Sequence, residues 1–586
     1  AVDSRFAHES PINAFSLSAD GKLLLTAAID RTAKLWSVPE LVELHAYPTQ
    51  PDVVAALWPD AAGREFIAGR MNGSLDKLAV LDSHPRPDVE LATAKSAPVA
   101  SVTNLVELAE QEPNSQPGEA QAIQLPAEIK GAINGADDRD LYRFQARAGE
   151  ELTLAINAAR SGSKLDSRVE VLFPDGRPVE QVVLQAVRDS WFTFRGKDSD
   201  TSDDFRLQNW TEMELNEYLY ANGEVVRLWL YPRGPDSGFK VYPGEGKRQT
   251  EFSTTALTHA LNEPAYIVQP HPAGSEPVPN GLPVFRLNYE NDDDPSHQWG
   301  ADSLLLFTAP RDGEYLARVS DVRGFGGETN YHYALTVRPR QPDFAVSVGG
   351  KNPKVSPGSG REITFAATRI EGYEGPIRID VENLPAGFTS SAPVEIEAGQ
   401  RSAIAVLHAY REVIAPDQAA DEAVRVIATA VIGGREVRHE LGSLGDIQLA
   451  APPKVTLAIL PGSDPSAVRE NSDQPAEFFI RPGQTISALV RATRSDFEGR
   501  IEMGTADAGR NLPHGVFVDN IGLNGLLIVE GHTEREFFIT ASPVAQPGRR
   551  KFHLRATADD GQASLPVILE VLPATAATGR RASLEP

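Results

Sequence analysis

The amino-acid sequence predicts an all-β chain of several domains, and three observations carry that prediction. The 47 Gly and 44 Pro are spread without a collagen-like period, as tight turns between many short strands require. Apolar residues alternate in short runs, such as Ile12–Leu17 and Ala33–Trp36, that end at Asp-Gly, Asn or Pro; this is the period of half-buried strands. The length of 586 residues exceeds what one hydrophobic core can organise and fits about three to five domains.

Bulk composition removes several classes of function. Hydrophobic residues make up 41% and charged residues 23% of the chain, the balance of a folded globular protein. The formal charge of −25 repels a phosphate backbone, so no nucleic-acid partner is expected. With no cysteine there is no disulfide, thiolate zinc site, cysteine nucleophile or haem attachment through Cys-x-x-Cys-His. No run of about 18 apolar residues occurs, so no membrane span is expected. The chain begins at Ala1 without a signal-peptide pattern, and a mature or excised product is expected.

The first element lies between His8 and Val38. Its apolar runs Ile12–Leu17, Leu23–Ala28 and Ala33–Trp36 are separated by turns at Asp20-Gly21 and Asp30-Arg31, which makes three strands of one propeller blade. The early His8, the Ser-Ala-Asp-Gly turn, the Asp before the last strand and the closing Trp36 resemble a WD40 repeat. A degenerate copy follows at Val53–Leu81, at the repeat length of about 40 residues that this family shows. Residues 1–88 therefore predict two WD40-like blades. Propellers close with about four to eight blades, so the two are expected to be the last blades of a longer parent chain, or to pair with a partner subunit. A linker is expected at 89–102, within the Pro-containing stretch Ser83–Pro98.

Residues 103–342 carry a second pattern in two separated halves. The first half holds Glu112-Pro113-Asn114, Leu125-Pro126, Gly131-Ala132-Ile133, Asp138-Arg139-Asp140-Leu141-Tyr142 and the strand Leu152–Ile156. The second holds Asp302-Ser303-Leu304, Asp312-Gly313-Glu314-Tyr315 and Tyr331–Val337. Together they resemble the bacterial pre-peptidase C-terminal (PPC) domain, a jelly-roll-like β-sandwich, and within that resemblance Asp137, Asp138 and Asp140 are structural. The interval of about 185–300 then reads as an insertion, with a short helical turn expected at Met213–Leu219 and a buried strand at Val225–Leu230.

Beyond Pro342 the chain repeats itself. Thr368-Arg369-Ile370-Glu371-Gly372-Tyr373-Glu374-Gly375, Leu384-Pro385-Ala386-Gly387 and Ala428-Thr429-Ala430 recur as Thr493-Arg494-Ser495-Asp496-Phe497-Glu498-Gly499, Leu512-Pro513-His514-Gly515 and Ala556-Thr557-Ala558. Alternating strands at this length predict two sandwiches similar to bacterial immunoglobulin-like (Ig-like) modules, at 343–451 and 452–573. Residues 574–586 are expected to be a disordered tail.

Searching for chemistry yields little that is catalytic. The motifs G-x-S-x-G, H-E-x-x-H and the Walker loop are absent. Gly244-Glu245-Gly246 and Gly324-Phe325-Gly326-Gly327 read as β-turns, since neither joins a buried strand to a helix. No haem, nucleotide or flavin is expected. His259, His271 and His297 fall together in the insertion, which also carries Glu212 and Glu214, but no spacing among them defines a catalytic set. The most pointed segment is Glu290-Asn291-Asp292-Asp293-Asp294, followed by Asp302; its oxygen density is what Ca2+ requires, against the alternative of a solvated acidic turn. Trp191, Trp210, Tyr218 and Tyr220 are the candidates for a ligand-binding aromatic face.

The expected function is that of a noncatalytic secreted or cell-surface scaffold, located outside the cell or in the periplasm, that binds other proteins or glycans. The alternative is the accessory portion of a larger secreted peptidase, or another enzyme, whose catalytic domain lies upstream.

Overall fold

The computed structural model describes residues 12–80 and 105–574, except 19, 30, 39–42, 48–49, 61–64, 195, 198–199, 233–236, 328, 465–466, 472–473, 506–507 and 520–523. The expected linker at 89–102, His8, Asp30 and the tail from 575 onward lie outside the described residues. Among the described residues the chain is all-β, with one short α-helix, Gln418–Ala423.

Strands Ile12–Leu17, Leu23–Ala28, Ala33–Ser37 and Glu43–Tyr47 form one antiparallel sheet in chain order, and Val54–Pro59, Glu65–Arg70 and Leu75–Ala79 form a second. The Asp20 turn is closed by the Ser18 hydroxyl and the Lys22 amide, both donating to its carboxylate. Trp36 Nε1 donates to Thr26 Oγ1 at 2.8 Å. Leu25, Ala27 and Leu35 of the first sheet meet Leu57, Phe66 and Leu78 of the second in a single core.

The next sandwich interleaves two distant parts of the chain. One sheet runs Leu304–Thr308, Glu151–Asn157, His332–Pro339, Ala127–Ala132, Val106–Ala109; the other runs Glu290–Asn291, Ser167–Leu172, Gly313–Asp321, Asp140–Ala146, Gln121–Ala122. Each ends in a parallel edge pair, with Val106–Ala109 beside Ala127–Ala132 and Gln121–Ala122 beside Asp140–Ala146. Between the sheets Phe307 meets Tyr289, Phe144 and Tyr315 edge-on, the geometry aromatic quadrupoles favour.

Between the two parts, the strands from Glu180 to Asn288 build a separate seven-stranded sheet. Its order is Asp204–Phe205, Phe239–Val241, Glu224–Leu230, Tyr218–Ala221, Pro264–Pro272, Glu180–Trp191, Val284–Asn288. The sequence placed this segment at about 185–300; its sheet runs from Glu180 to Asn288, and strand Glu180–Trp191 follows the preceding hairpin directly. Strand Glu224–Leu230 is buried for most of its length. The helical turn expected at Met213–Leu219 is a correction: a single 3-10 turn occupies Trp210–Glu212, and Tyr218 opens a strand. Leu219 and Ala221 are drawn into the core while Tyr218 and Tyr220 face the other way, and that period of two wins over a helical turn.

The two C-terminal sandwiches share the order of one sheet, while the other sheet of the second contains a parallel pair, Gln474–Ile480 beside Val567–Val571, that the first lacks. The first pairs sheets containing Asp343–Gly349, Gly360–Ile370, Ser402–Ala409, Phe388–Ser390 and Val394–Ile396, Ile377–Glu382, Arg425–Ile432, Arg435–Gly442; the second has Val455–Pro461, Thr485–Arg494, Glu534–Ala541, Val516–Asp519 facing Val468–Asn471, Gln474–Ile480, Val567–Val571, Gly548–Phe552. In both, the Leu-Pro-x-Gly element is a turn whose glycine is left-handed, at φ 84° for Gly387 and 80° for Gly515. The same hydrogen bond closes each turn, Phe388 N to Pro385 O and Val516 N to Pro513 O.

The repeated Thr-Arg also has one role in both copies. Arg369 donates to the carbonyls of Tyr373, Gly375, Glu397 and Gln400. Arg494 donates to those of Phe497, Gly499, Val529 and His532. One planar guanidinium thus gathers four backbone carbonyls that strand pairing leaves open.

Candidate functional site

The acidic loop after Tyr289 spends most of its oxygens on nearby side chains and backbone N–H groups. Glu290 pairs with Arg168. Asn291 is buried, accepting from Leu304 N at 2.9 Å and donating to Ser253 O at 3.0 Å. Asp292 accepts from the Thr255 hydroxyl. Asp294 accepts from Ser296 N at 2.9 Å, Ser296 Oγ at 2.8 Å and Trp299 N at 2.8 Å. Asp302 accepts from Ala158 N at 2.9 Å and Ala159 N at 2.7 Å, and pairs with Arg160. Asp293 faces a cavity of about 370 Å³ shared with Asp200, Lys247, Thr255 and His297; burial, and then the charges of Asp292 and Asp166, push its carboxyl up to about 6. The six expected calcium ligands therefore do not converge on one point, since local N–H and O–H donors divide them first.

A different set does converge. Glu110, Glu112 and Asp140 bring their carboxylate oxygens within 4.8 Å of one another, the one such group of His, Asp or Glu among the described residues. Glu110 follows edge strand Val106–Ala109, and Asp140 opens strand Asp140–Ala146 in the opposite sheet. The Glu110 carboxylate accepts from Ala132 N at 2.9 Å and Asn114 Nδ2 at 3.1 Å, while Glu112 accepts from Asn114 N at 2.9 Å. Asp140 is fully buried, and Tyr333 donates to its Oδ2, with Tyr142 hydrogen-bonded to Tyr333 behind it. Its Oδ1 has no protein partner, and neither has Oδ1 of the equally buried Asn114.

Burial, and then the adjacent Glu110, raise the Asp140 carboxyl to about 9. Carboxylates this close repel each other unless one keeps its proton or a cation offsets them. The orphaned Oδ1 of Asp140 and that of the neighbouring Asn114 make this the kind of oxygen-donor set that could hold a hard cation such as Ca2+. Asp138, by contrast, accepts from Asn134 N and Ser115 Oγ and holds the turn. The sequence assigned the Asp138–Asp140 stretch to structure, and the weak signal available was the Glu-x-Glu-x-Asn spacing of residues 110–114.

In the insertion, charge is buried in a closed network. Arg248 donates to Glu224 at 2.6 and 3.1 Å, Leu257 N donates to Glu224 at 2.6 Å, and His259 bridges Glu224 (2.8 Å) and Glu263 (3.0 Å). Burial alone would depress the His259 imidazole, but these two carboxylates hold it above its ordinary value. Its side chain is fully buried and stacks on Phe192 at 5.1 Å, so it serves the core of the insertion. His297 bonds to Arg248 O at 2.7 Å, and His271 stands apart with Nε2 unpartnered. Glu212 closes the 3-10 turn and Glu214 accepts from Leu215 N.

The four candidate aromatics are divided. Tyr218 packs on Phe252 (5.1 Å) and Tyr220 stacks on Phe285 (3.7 Å) on one face of the sheet. Trp210 packs under the core of the other face, and Trp191 is exposed at the end of its strand.

No protein-family model matches the chain, and no curated protein does. Among solved structures, it is similar to the RRP9 WD40 repeats at 19% identity over 13% of this chain and 24% of that one, with a TM-score of 0.12; the chain thus spans about a quarter of that structure. The fibronectin(III)-like modules of Clostridium thermocellum CbhA match at 15% identity over 39% of this chain and 95% of theirs, with a TM-score of 0.12. The D0-D1 domain of intimin matches at 13% identity over 39% and 98%, with a TM-score of 0.15.

Proposed function

We propose that this chain is a noncatalytic, secreted or surface-displayed scaffold that holds binding modules for proteins or glycans on a rigid frame, one sandwich of which is braced by Ca2+ at Glu110, Glu112, Asn114 and Asp140. The observation that carries the reading is the set of ionic and aromatic joints between modules. Glu371 of the first C-terminal sandwich accepts from Thr153 Oγ1 (2.9 Å), Gln341 N (2.6 Å) and Arg338 of the preceding sandwich. Glu362 accepts from Arg510, His553 and Arg555 of the last sandwich. Trp229 of the insertion stacks on His514 at 4.0 Å.

Such joints suit a frame that presents surfaces at fixed spacing, since separating a buried ion pair costs about 3–5 kcal/mol. The pairing of a sandwich split by a long insertion with Ig-like repeats supports assigning residues 103–342 to the PPC type. In this reading the cation would supply charge compensation and stiffness at the sandwich edge, with no part in bond-making.

Small-angle scattering of the full chain tests the frame. One rigid envelope for residues 105–574, unchanged between low and high salt, is the expected result; a salt-dependent string of independent modules would sink the scaffold reading.

A further inference from the structure

The cavity in front of Asp293 lies where the insertion meets the acidic loop of the split sandwich. The insertion supplies Asp200, Lys247, Thr250 and Thr255, and the loop supplies Asp293 and His297. Its volume of about 370 Å³ is in the range that holds one small ligand. The class of that ligand follows from where the protons of the walls already point.

The Thr250 hydroxyl donates to Thr254 O, and the Thr255 hydroxyl donates to Asp292. Both threonines therefore offer a ligand only lone pairs. His297 donates from Nε2 to Arg248 O at 2.7 Å, which leaves Nδ1, 3.6 Å from Asp200, as an acceptor in the neutral ring. Lys247 is held to Asp200 at 2.7 Å. Asp293 makes no hydrogen bond and no ion pair among the described residues. Burial and the like charges of Asp292, Asp166 and Asp200 act against its ionisation, and His297 acts in its favour. Acceptors set around an unpaired carboxylate call for a ligand that brings both donors and positive charge.

We propose that this cavity binds a free amino sugar, its ammonium on Asp293 and its hydroxyls donating to Thr250, Thr255 and His297. The apolar part of the wall is confined to alanine, proline and glycine. That gives no slot for the four-carbon stem of a lysine side chain, whereas a sugar carries its donors around a compact ring. Acetylation of the amine removes the charge that Asp293 selects. The inference rests on the glycan arm of the scaffold reading and names the ligand for it.

Titration calorimetry of the full chain at pH 7 tests it, with glucosamine, N-acetylglucosamine and Nα-acetyl-lysine amide as probes. Glucosamine is expected to bind at one site per chain, and the other two about tenfold more weakly or not at all. Asp293→Asn is expected to lose the binding with its circular dichroism unchanged, since that carboxylate holds no hydrogen bond in the fold. Glu412→Gln removes an exposed carboxylate of the first C-terminal sandwich and is expected to bind as the wild type does, which separates the cavity from the general negative charge of the chain. Absence of glucosamine binding at millimolar concentration overturns the proposal. So does equal binding of the acetylated sugar, tighter binding of the lysine amide, full binding by Asp293→Asn, or loss of binding in Glu412→Gln. The frame is judged separately by scattering: a rigid envelope without glucosamine binding removes the ligand and leaves the scaffold.

Discussion

Glu362 and His553 meet at 2.8 Å across the joint between the two C-terminal sandwiches. Arg510 Nε (2.9 Å) and Arg555 Nη1 (3.2 Å) complete a shell of three basic groups around the one carboxylate. Burial would raise the Glu362 carboxyl, but His553 and Arg510 hold it down at about 2. Its folded value lies below its unfolded one, so the stability it contributes is present above about pH 4.5 and is lost as pH falls toward 2. Glu362→Ala is expected to cost about 1–3 kcal/mol, because the buried His553 and the half-buried Arg510 lose their shared acceptor. Calorimetry between pH 7 and pH 3 checks this, with Glu362→Gln flattening the acid limb.

The Asp140 cluster predicts the opposite sign. Its carboxyl is raised to about 9, so without a cation its contribution is complete below about pH 4 and fades as pH rises through 9. Millimolar calcium is expected to restore it at neutral pH, by about 2.7 kcal/mol at a hundredfold excess over Kd. Asp140→Asn is expected to melt higher than wild type in chelator and to gain nothing from calcium. A wild type whose melting temperature ignores calcium would remove the metal from this site.

His514 is pressed between Trp229 and the Asn216 side chain, which lies 3.1 Å from its Nε2. Burial, with the Arg227 charge added, lowers its imidazole to about 4. The unfolded chain then takes up the proton first, and stability is lost as pH falls from about 6.5 to 4. Trp229→Ala is expected to free the insertion from the last sandwich, seen as faster proteolysis of segment 180–288 with the sandwich cores still protected from hydrogen exchange.

The arginine staples predict a graded series. Arg369→Lys keeps the charge but loses the planar fork, and stranding buried carbonyls costs about 1–3 kcal/mol each. Arg494→Lys is expected to cost less, because its bonds lie nearer solvent. Equal losses in the two variants, measured by urea unfolding, would refute this ranking.

The all-β class was legible because its signals are local. Asp20-Gly21 and the two Leu-Pro-x-Gly turns name their own geometry, and the apolar run Val225–Leu230 lies in a strand that is buried for most of its length. The carboxylate cluster was not legible, because Glu110 and Asp140 stand thirty positions apart and meet only where two sheets close. Density misled at Glu290–Asp294, where neighbouring Ser, Thr and backbone N–H groups reached the oxygens first. Tyr218 and Trp210 are close in sequence, yet the sheet between them separates their faces.

His514 stands in the second Leu-Pro-x-Gly turn where the first has Ala386. The two sandwiches share an architecture, but only the later copy carries the ring that the insertion grips. Exchanging their order in the chain would preserve both cores and remove the attachment, so modules that share a turn and a sheet order here have become parts with fixed addresses.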